Sequence, residues 1–345
     1  MIEKLEVRPK AKYEKWERPL KVGFSGVSER DRQSLDWALA SGLSRVVALA
    51  ESDRNMAEDI VSVYRGVALL DTFDELLGCG LDGLVIAGPS HLHASRVIAA
   101  LERGIPVFSR WPLGLSAAET EAVVTTARRL DRLLGVDFPY RMTEGMQQIR
   151  DLIRSGEMGE ILAIEAVYHL ANGPSEAWSY SRARAGGGCL FDLGAQLLDL
   201  ALWSLDFPEV ISAQGSVRDG TRGDAGDRVD DNASGFVRLQ SEATLQFACS
   251  WGRHVGGEAD LRIQFFGTRG SAVFENIGGE LEEFFAERFH ASQLREPLSV
   301  PPDSWKGRAF EEWLHCLNRS MRFDPEICHV MKIAGALDRL YFDNA

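Results

Sequence analysis

Three polar side chains on one otherwise apolar helical segment, Asp192, Gln196 and Asp199, are the residues of this 345-residue chain best placed to do chemistry. Spaced at i, i+4 and i+7, they form a single stripe behind the run Gly186-Gly-Gly188. Burying unpaired carboxylates is costly, so the stripe must face hydrogen-bonding partners or a polar cleft. Asp192 is assigned to the cleft, where desolvation would make it a base, and Asp199 is read as structural. A second segment, Ser109-Arg-Trp-Pro-Leu-Gly114, puts Arg110 and Trp111 directly after an apolar run. No lysine occurs between Lys21 and Lys306, so no amine is at hand in either segment. Gly-Lys-Ser/Thr loops, Gly-x-Ser-x-Gly elbows and Tyr-x-x-x-Lys pairs are absent from the sequence. His91 and His93 lack the further ligands a metal site needs, and no metal is expected.

The elements that must position these residues change character along the chain. Residues 1–19 form a polar leader. Apolar runs at Leu20–Phe24, Val46–Ala50, Gly83–Ala87 and Ile105–Phe108 alternate with helical patterns such as that from about Asp31 to Ala40. That alternation predicts a parallel sheet wrapped by helices, an α/β Rossmann-like domain over 20–138. Ser116 with Glu119 reads as a capping box, and Asp71 as the residue before a helix starting at Phe73. From Glu160 onward, period-two stretches (Glu160–Leu170, Phe236–Leu239, Ala243–Trp251, Leu261–Phe266) predict an α+β domain over 139–345 with a large, mostly antiparallel sheet, half covered. Gly267-Thr-Arg-Gly270 reads as a hairpin turn, and helices at about Asp303–Arg319 and Asp324–Phe342 close the chain.

In order and motif, residues 20 to 340 resemble the Gfo/Idh/MocA family of nicotinamide-dependent sugar and polyol dehydrogenases. The resemblance rests on Leu84-Val-Ile-Ala-Gly-Pro-Ser-His-Leu-His93, Ile105-Pro-Val-Phe-Ser-Arg-Trp-Pro112, Gly156-Glu-Met-Gly159, the Gly186-Gly-Gly188 helix, Asp230-Asp231 and Gly267-Thr-Arg-Gly270. It implies that Gly88, Pro89, His93 and Arg110 border a dinucleotide and that Tyr140, Arg141 and Trp178 line the substrate pocket. It also implies two departures. Trp111 stands where the family has the lysine of Glu-Lys-Pro, and Gln196 stands where it has the proton-accepting histidine. An indole offers one N–H and an amide exchanges no proton near neutral pH, so neither does acid/base work. Asp192 is then the best remaining acid/base candidate, and ordinary turnover of common sugars is expected to fail.

The cofactor, NAD or NADP, meets a similarly altered cradle. A dinucleotide loop calls for Gly-x-Gly-x-x-Gly after the first strand, and here Gly26-Val-Ser28-Glu-Arg30-Asp31 keeps the first glycine alone. Ser28 offers a hydroxyl, while Glu29 and Asp31 bring charge that Arg30 partly offsets. Like charges ~5 Å apart at an effective dielectric of ~20 cost roughly 3 kcal/mol. Glu51 ends the second strand, where an acid would bind the adenosine ribose, and Arg54 lies close enough to meet a 2′-phosphate. On the strand at 160–170, alternation puts Tyr168 with Leu162 and Ile164 and His169 with Glu165, so one of Tyr168 and His169 faces the pocket and parity forbids both.

Three functions compete: an NAD(P)-dependent oxidoreductase of a sugar, polyol or related small molecule with altered catalytic residues; an inactive binding, regulatory or accessory protein on the same scaffold; and a non-redox enzyme using the same cleft. A net charge of −13 argues against nucleic acid as a partner. Apolar runs too short to span a bilayer, and a leader without a signal-peptide core, make a membrane partner unexpected and predict a cytoplasmic protein. Five scattered cysteines without a C-x-x-C pair fit reduced thiols. The half-covered sheet implies a homo-oligomer, a dimer or tetramer.

Overall fold

The computed structural model describes residues 18–27, 32–50, 54–64, 66–224, 226–290, 292 and 294–342. Ser28, Arg30 and Glu51 lie outside the described residues, as does the side chain of Arg54, whose backbone opens a helix.

The first half alternates as the apolar runs require. Strands β1 (Leu20–Ser25), β2 (Ser44–Ala50), β3 (Ala68–Leu70), β4 (Gly83–Ile86), β5 (Val107–Arg110) and β6 (Leu134–Asp137) are joined by α1 (Arg32–Ala40), α2 (Arg54–Val63), α3 (Phe73–Leu77), α4 (His93–Glu102) and α5 (Ala117–Arg129). All pairs are parallel, in the order β3-β2-β1-β4-β5-β6. The order reverses between β1 and β4, and ligands of such sheets bind at that switch point. Ser116 caps α5, its Oγ accepting from Glu119 N at 3.2 Å, while Glu119 Oε2 takes Leu115 N–H. The cap of α3 is Thr72 rather than Asp71: Thr72 Oγ1 accepts from Glu75 N, and Glu75 Oε2 reaches back to Thr72 N.

The second half adds α6 (Glu144–Arg154), β7 (Ile161–Leu170), α7 (Arg182–Ala185), α8 (Ala195–Ser204), β8 (Val210–Asp219), β9 (Asp230–Leu239), β10 (Thr244–Trp251), β11 (Ala259–Gly267), β12 (Gly270–Asn276), β13 (Phe284–His290) and β14 (Arg295–Ser299). These strands form one sheet, β14-β13-β12-β11-β7-β10-β9-β8, antiparallel except for the β7–β10 pair. The turn at 267–270 joins β11 to β12. Leu162 departs from the expected alternation. Phe266 pairs with Ala163 and Gly267 with Ile161, so Leu162 is a bulge residue and stands 53% exposed instead of sharing the buried face of Ile164 and Tyr168.

Both closing helices, α9 (Arg308–Arg319) and α10 (Val330–Phe342), begin later than their polar flanks implied. Asp303 instead accepts Glu144 N–H and Gly145 N–H at the start of α6, and a 3₁₀ turn occupies Pro325–His329. Although it follows the large sheet in sequence, α9 packs on the first sheet, burying Phe310, Trp313 and Leu314 against Val22, Phe24 and Phe108. The chain therefore returns to its first layer before ending beside β8, and the two halves are clasped together.

Candidate active site

A cleft of about 350 Å³ runs between the carboxyl ends of the first sheet and the helix-covered face of the second. Its first wall is set by backbone geometry. Gly26 and Gly88 end β1 and β4 with φ of 76° and 80°. A Cβ on Gly26 would lie 2.5 Å from Ala87 O, so the two loops meet only because neither carries a side chain. Gly88, Ser90 and His93 line the cleft, with Pro89 between them opening a 3₁₀ turn. His93 is 1% exposed; its Nδ1 lies 2.7 Å from Pro112 O and its Nε2 3.0 Å from Gly88 O. The imidazole therefore bridges the switch-point loop and the Trp111-Pro112 segment; both neighbours are acceptors, so a neutral ring donates to one carbonyl and an imidazolium to both. Arg110 lines the same end, directly across the β5–β6 pair from Asp137.

Trp111 crosses the domain boundary. Its ring lies 5.4 Å from that of Phe138 and 6.0 Å from that of Phe191, and its Nε1–H donates to Phe191 O at 2.8 Å. That carbonyl belongs to a π turn over Leu190–Gly194, marked by the bond from Ala195 N–H to Leu190 O, which leads into α8. Single π turns of this kind recur at functional sites. The one polar hydrogen of Trp111 is thus already used, and its contribution to the cleft is apolar surface.

The π turn and the first turn of α8 form the floor. Asp192 and Gln196 both line the cleft, on the one stripe that their i, i+4 spacing gave, and Gln196 Oε1 is buried without a hydrogen-bond partner among the described residues. Asp199 faces away. It is 1% exposed and accepts a bidentate pair from Arg141, whose Nε lies 2.7 Å from Asp199 Oδ2. Burial pushes the Asp199 carboxyl up and Arg141 opposes the shift. The structural reading of Asp199 holds; the assignment of Arg141 to the pocket does not. Its guanidinium lies over Phe138 and Phe207, each at 5.1 Å, behind the floor.

The N-terminus of this segment is fixed by Asp230, the first residue of β9. Its buried carboxylate accepts from Gly188 N (2.8 Å), Leu190 N (2.8 Å) and Tyr341 Oη (2.7 Å). Burial, reinforced by Asp230, holds the Tyr341 phenol well above its ordinary range, so it remains a donor. The five cysteines are free thiols; buried Cys189 lies against Cys249, whose thiol and the burial push the Cys189 thiol up.

The second wall resolves the parity question for Tyr168. Its hydroxyl lies 2.6 Å from that of Tyr140, and both rings line the cleft. His169 points to the opposite face of the sheet, its Nδ1 2.7 Å from Ser250 Oγ, and it leaves the site. Trp178 lines the cleft as expected. So do Glu176, Trp251, Glu258, Glu282 and Trp305, which no motif had marked. Alternation in β10 placed Trp251 on the buried face, but Glu176 sits in an irregular connection that carries no periodic signal. Among the described residues, no group of three or more His, Cys, Asp and Glu could hold a metal ion. Nor, among the described residues, is any helix long and apolar enough to cross a membrane.

Residues 20–138 match the profile described as "Oxidoreductase family, NAD-binding Rossmann fold", and residues 146–273 match the Gfo/Idh/MocA C-terminal domain. The chain belongs to the Gfo/Idh/MocA oxidoreductase family. Among curated members it is 30% identical over 290 residues to a dTDP-3,4-didehydro-2,6-dideoxy-α-D-glucose 3-reductase of Saccharopolyspora spinosa, covering 83% of this chain and 84% of that protein. It is 24% identical over 283 residues to the D-glucoside 3-dehydrogenase of Escherichia coli (strain K12), covering 76% and 81%. Among solved folds, a 3-ketoreductase from Actinomadura kijaniata, crystallised with NADP and TDP-benzene, superposes with a TM-score of 0.79 at 19% identity, covering 94% of this chain and 97% of that one. The Gfo/Idh/MocA scaffold, a parallel dinucleotide domain followed by a large, mostly antiparallel sheet, is therefore present in both halves of the chain.

Proposed function

We propose that this Gfo/Idh/MocA protein is an NAD(P)-dependent oxidoreductase of a sugar, polyol or related small molecule whose proton-handling residues have been replaced. The observation that carries the reading is the pairing of the Gly26–Gly88 switch point, whose Gly88 lines the cleft, with a floor that presents Asp192 and Gln196. Gly26, Gly88, Ser90, His93 and Arg110 would border the cofactor, which supplies or accepts the hydride when bound. The glycine pair fits such a group because it brings two backbones together with no side chain between them.

The protein's own residues do the rest. Trp111 stands at the lysine position of the family and Gln196 at its histidine position; the indole N–H is held by Phe191 O, and the amide takes up no proton near neutral pH. Asp192 is the carboxylate beside Gln196 on the floor and the group we assign to proton transfer, with the Tyr140–Tyr168 hydroxyl pair across the cleft orienting a substrate hydroxyl. The spent N–H of Trp111 also favours a second reading, a cofactor-binding member that performs no turnover.

Replacing both altered positions decides between these. Trp111→Lys with Gln196→His should raise kcat for NAD(P)-linked oxidation of a panel of aldoses and polyols by about 100-fold or more, the scale of general acid/base catalysis. A folded double variant with no gain would contradict the site assignment. Asp192→Asn should abolish whatever activity the unaltered protein shows under the first reading and change nothing under the second.

We further infer a homo-oligomer joined through the uncovered face of the large sheet, where Phe236 is 41% exposed among Glu165, Val167, Gln214 and Gln246. Light scattering showing a monomer would contradict this. The five free thiols support a cytoplasmic location.

A further inference from the structure

The far wall of the cleft is contributed by the second half of the chain: the carboxyl end of β7 (Leu170), the connection carrying Glu176 and Trp178, the last residue of β10 (Trp251), and Leu281 and Trp305. Trp178 and Trp305 are half-buried, so their rings can be reached from the cleft they line. The polar hydrogen of Trp305 is already used. Its Nε1–H donates to Leu281 O at 2.8 Å, and its ring lies 5.9 Å from that of Tyr140 at an interplanar angle of 63°. Tyr140 is in turn tied to Tyr168 through their hydroxyls. Trp305 is therefore a fixed apolar plate on this wall, as Trp111 is beside the floor.

Among the described residues, no arginine or lysine lines the far wall; Arg110 stands on β5, across the β5–β6 pair from Asp137. The carboxylates Glu258 and Glu282 are exposed, the second paired with Lys306, and phosphate would meet like charge there.

The floor and the far wall thus suit different parts of a ligand. Asp192, Gln196 and the tyrosine hydroxyls can meet the hydroxyls of a sugar. The indole of Trp305 can donate to neither a hydroxyl nor a phosphate, and a bare sugar would set its hydroxylated rim against that surface without partners. A flat apolar ring joined to the sugar would cover it, with ring stacking adding to the area removed from water. At about 350 Å³ the cleft falls in the size range that encloses a ligand of that kind.

Taking the cleft as the substrate site of the oxidoreductase proposed above, we propose that its substrate is a neutral glycoside with an aromatic aglycone. The sugar lies on the floor between Trp111 and Asp192, and the aglycone packs against Trp178 and Trp305.

Calorimetric titration tests this without relying on turnover. The probes are phenyl and methyl glycosides of glucose, galactose and xylose in both anomers, beside dTDP-glucose and free phenol, each with and without NAD(P)H. At least one phenyl glycoside should bind about tenfold or more tightly than its methyl counterpart, the scale of burying one aromatic ring, with a more negative heat-capacity change. Free phenol should bind at least about tenfold more weakly than that glycoside, as expected of a site for the whole molecule. Trp178→Ala, on the short 3₁₀ turn Ala177–Tyr180, should cut the phenyl-over-methyl ratio about threefold or more. The inference is overturned by no pair reaching the tenfold ratio, by phenol binding as tightly as the glycosides, by dTDP-glucose binding more tightly than every phenyl glycoside, or by a folded Trp178→Ala that leaves the ratio unmoved. The ligand comparison stands even if the variant fails to fold. Saturable NAD(P)H binding without a phenyl preference would sink this inference alone, whereas a phenyl preference without NAD(P)H binding would keep it and sink the oxidoreductase reading.

Discussion

The back of the α8 floor and the far wall of the cleft both hold buried polar atoms, and they treat them in opposite ways. Behind the floor, Asp199 is matched by Arg141 in a bidentate pair, and the guanidinium is itself covered by Phe138 and Phe207. On the wall, Glu176 Oε1 and Trp251 Nε1 are buried and left open. A polar group matched within the fold is part of the scaffold. One left unmatched bears its desolvation cost with no return from the fold.

The largest effect should come from breaking the matched pair. Arg141→Met leaves Asp199 buried alone and should destabilise the protein by ~3–5 kcal/mol in urea denaturation. A change below ~1 kcal/mol would show that the pair is not the brace it resembles. Next comes the bond between the halves. Trp111→Phe keeps the ring but strands Phe191 O, for a loss of ~1–2 kcal/mol by the same measurement.

Glu176→Gln should fall within about 0.5 kcal/mol of the unaltered protein, since the side chain is only partly buried and its Oε1 has no partner to lose. A loss comparable to that of Arg141→Met would erase the distinction between the two regions.

The smallest effect concerns His169, on the open face of the sheet. Burial holds its imidazole below the ordinary range, with Asp260 opposing and Arg253 reinforcing the shift. With the folded pKa depressed, the unfolded chain binds more protons below about pH 6.5, so the stability this residue contributes is present above that pH and fades as the pH falls. His169→Asn should flatten the decline in melting temperature on the acid side of neutrality. An unchanged acid limb would contradict that origin.

Much of the fold was readable because buried parallel strands are unbroken apolar runs. β1, β2, β4 and β5 stand where those runs lie. β13 and β14, at the sheet edge, carry adjacent charges, Glu287-Arg288 and Arg295-Glu296, that interrupt any apolar alternation. The displacement of Leu162 needed the pairing register of β7 with β11, which a single strand does not encode. In the site, spacing put Asp192 and Gln196 on one stripe, and the family resemblance turned that stripe toward the cleft. It could not separate Arg141 from its neighbour Tyr140, because the partner of Arg141 lies 58 residues away on α8. Nor could it show that the indole of Trp111 is already engaged, since the acceptor is a backbone carbonyl 80 residues on, exposed to it by a π turn.

The central claim is that a nicotinamide dinucleotide still occupies the Gly26–Gly88 end of this cleft. Titrating NADH and NADPH against the protein's tryptophan fluorescence tests it most directly. Saturable quenching by at least one of them is predicted, and no saturation at millimolar concentrations of either would contradict it.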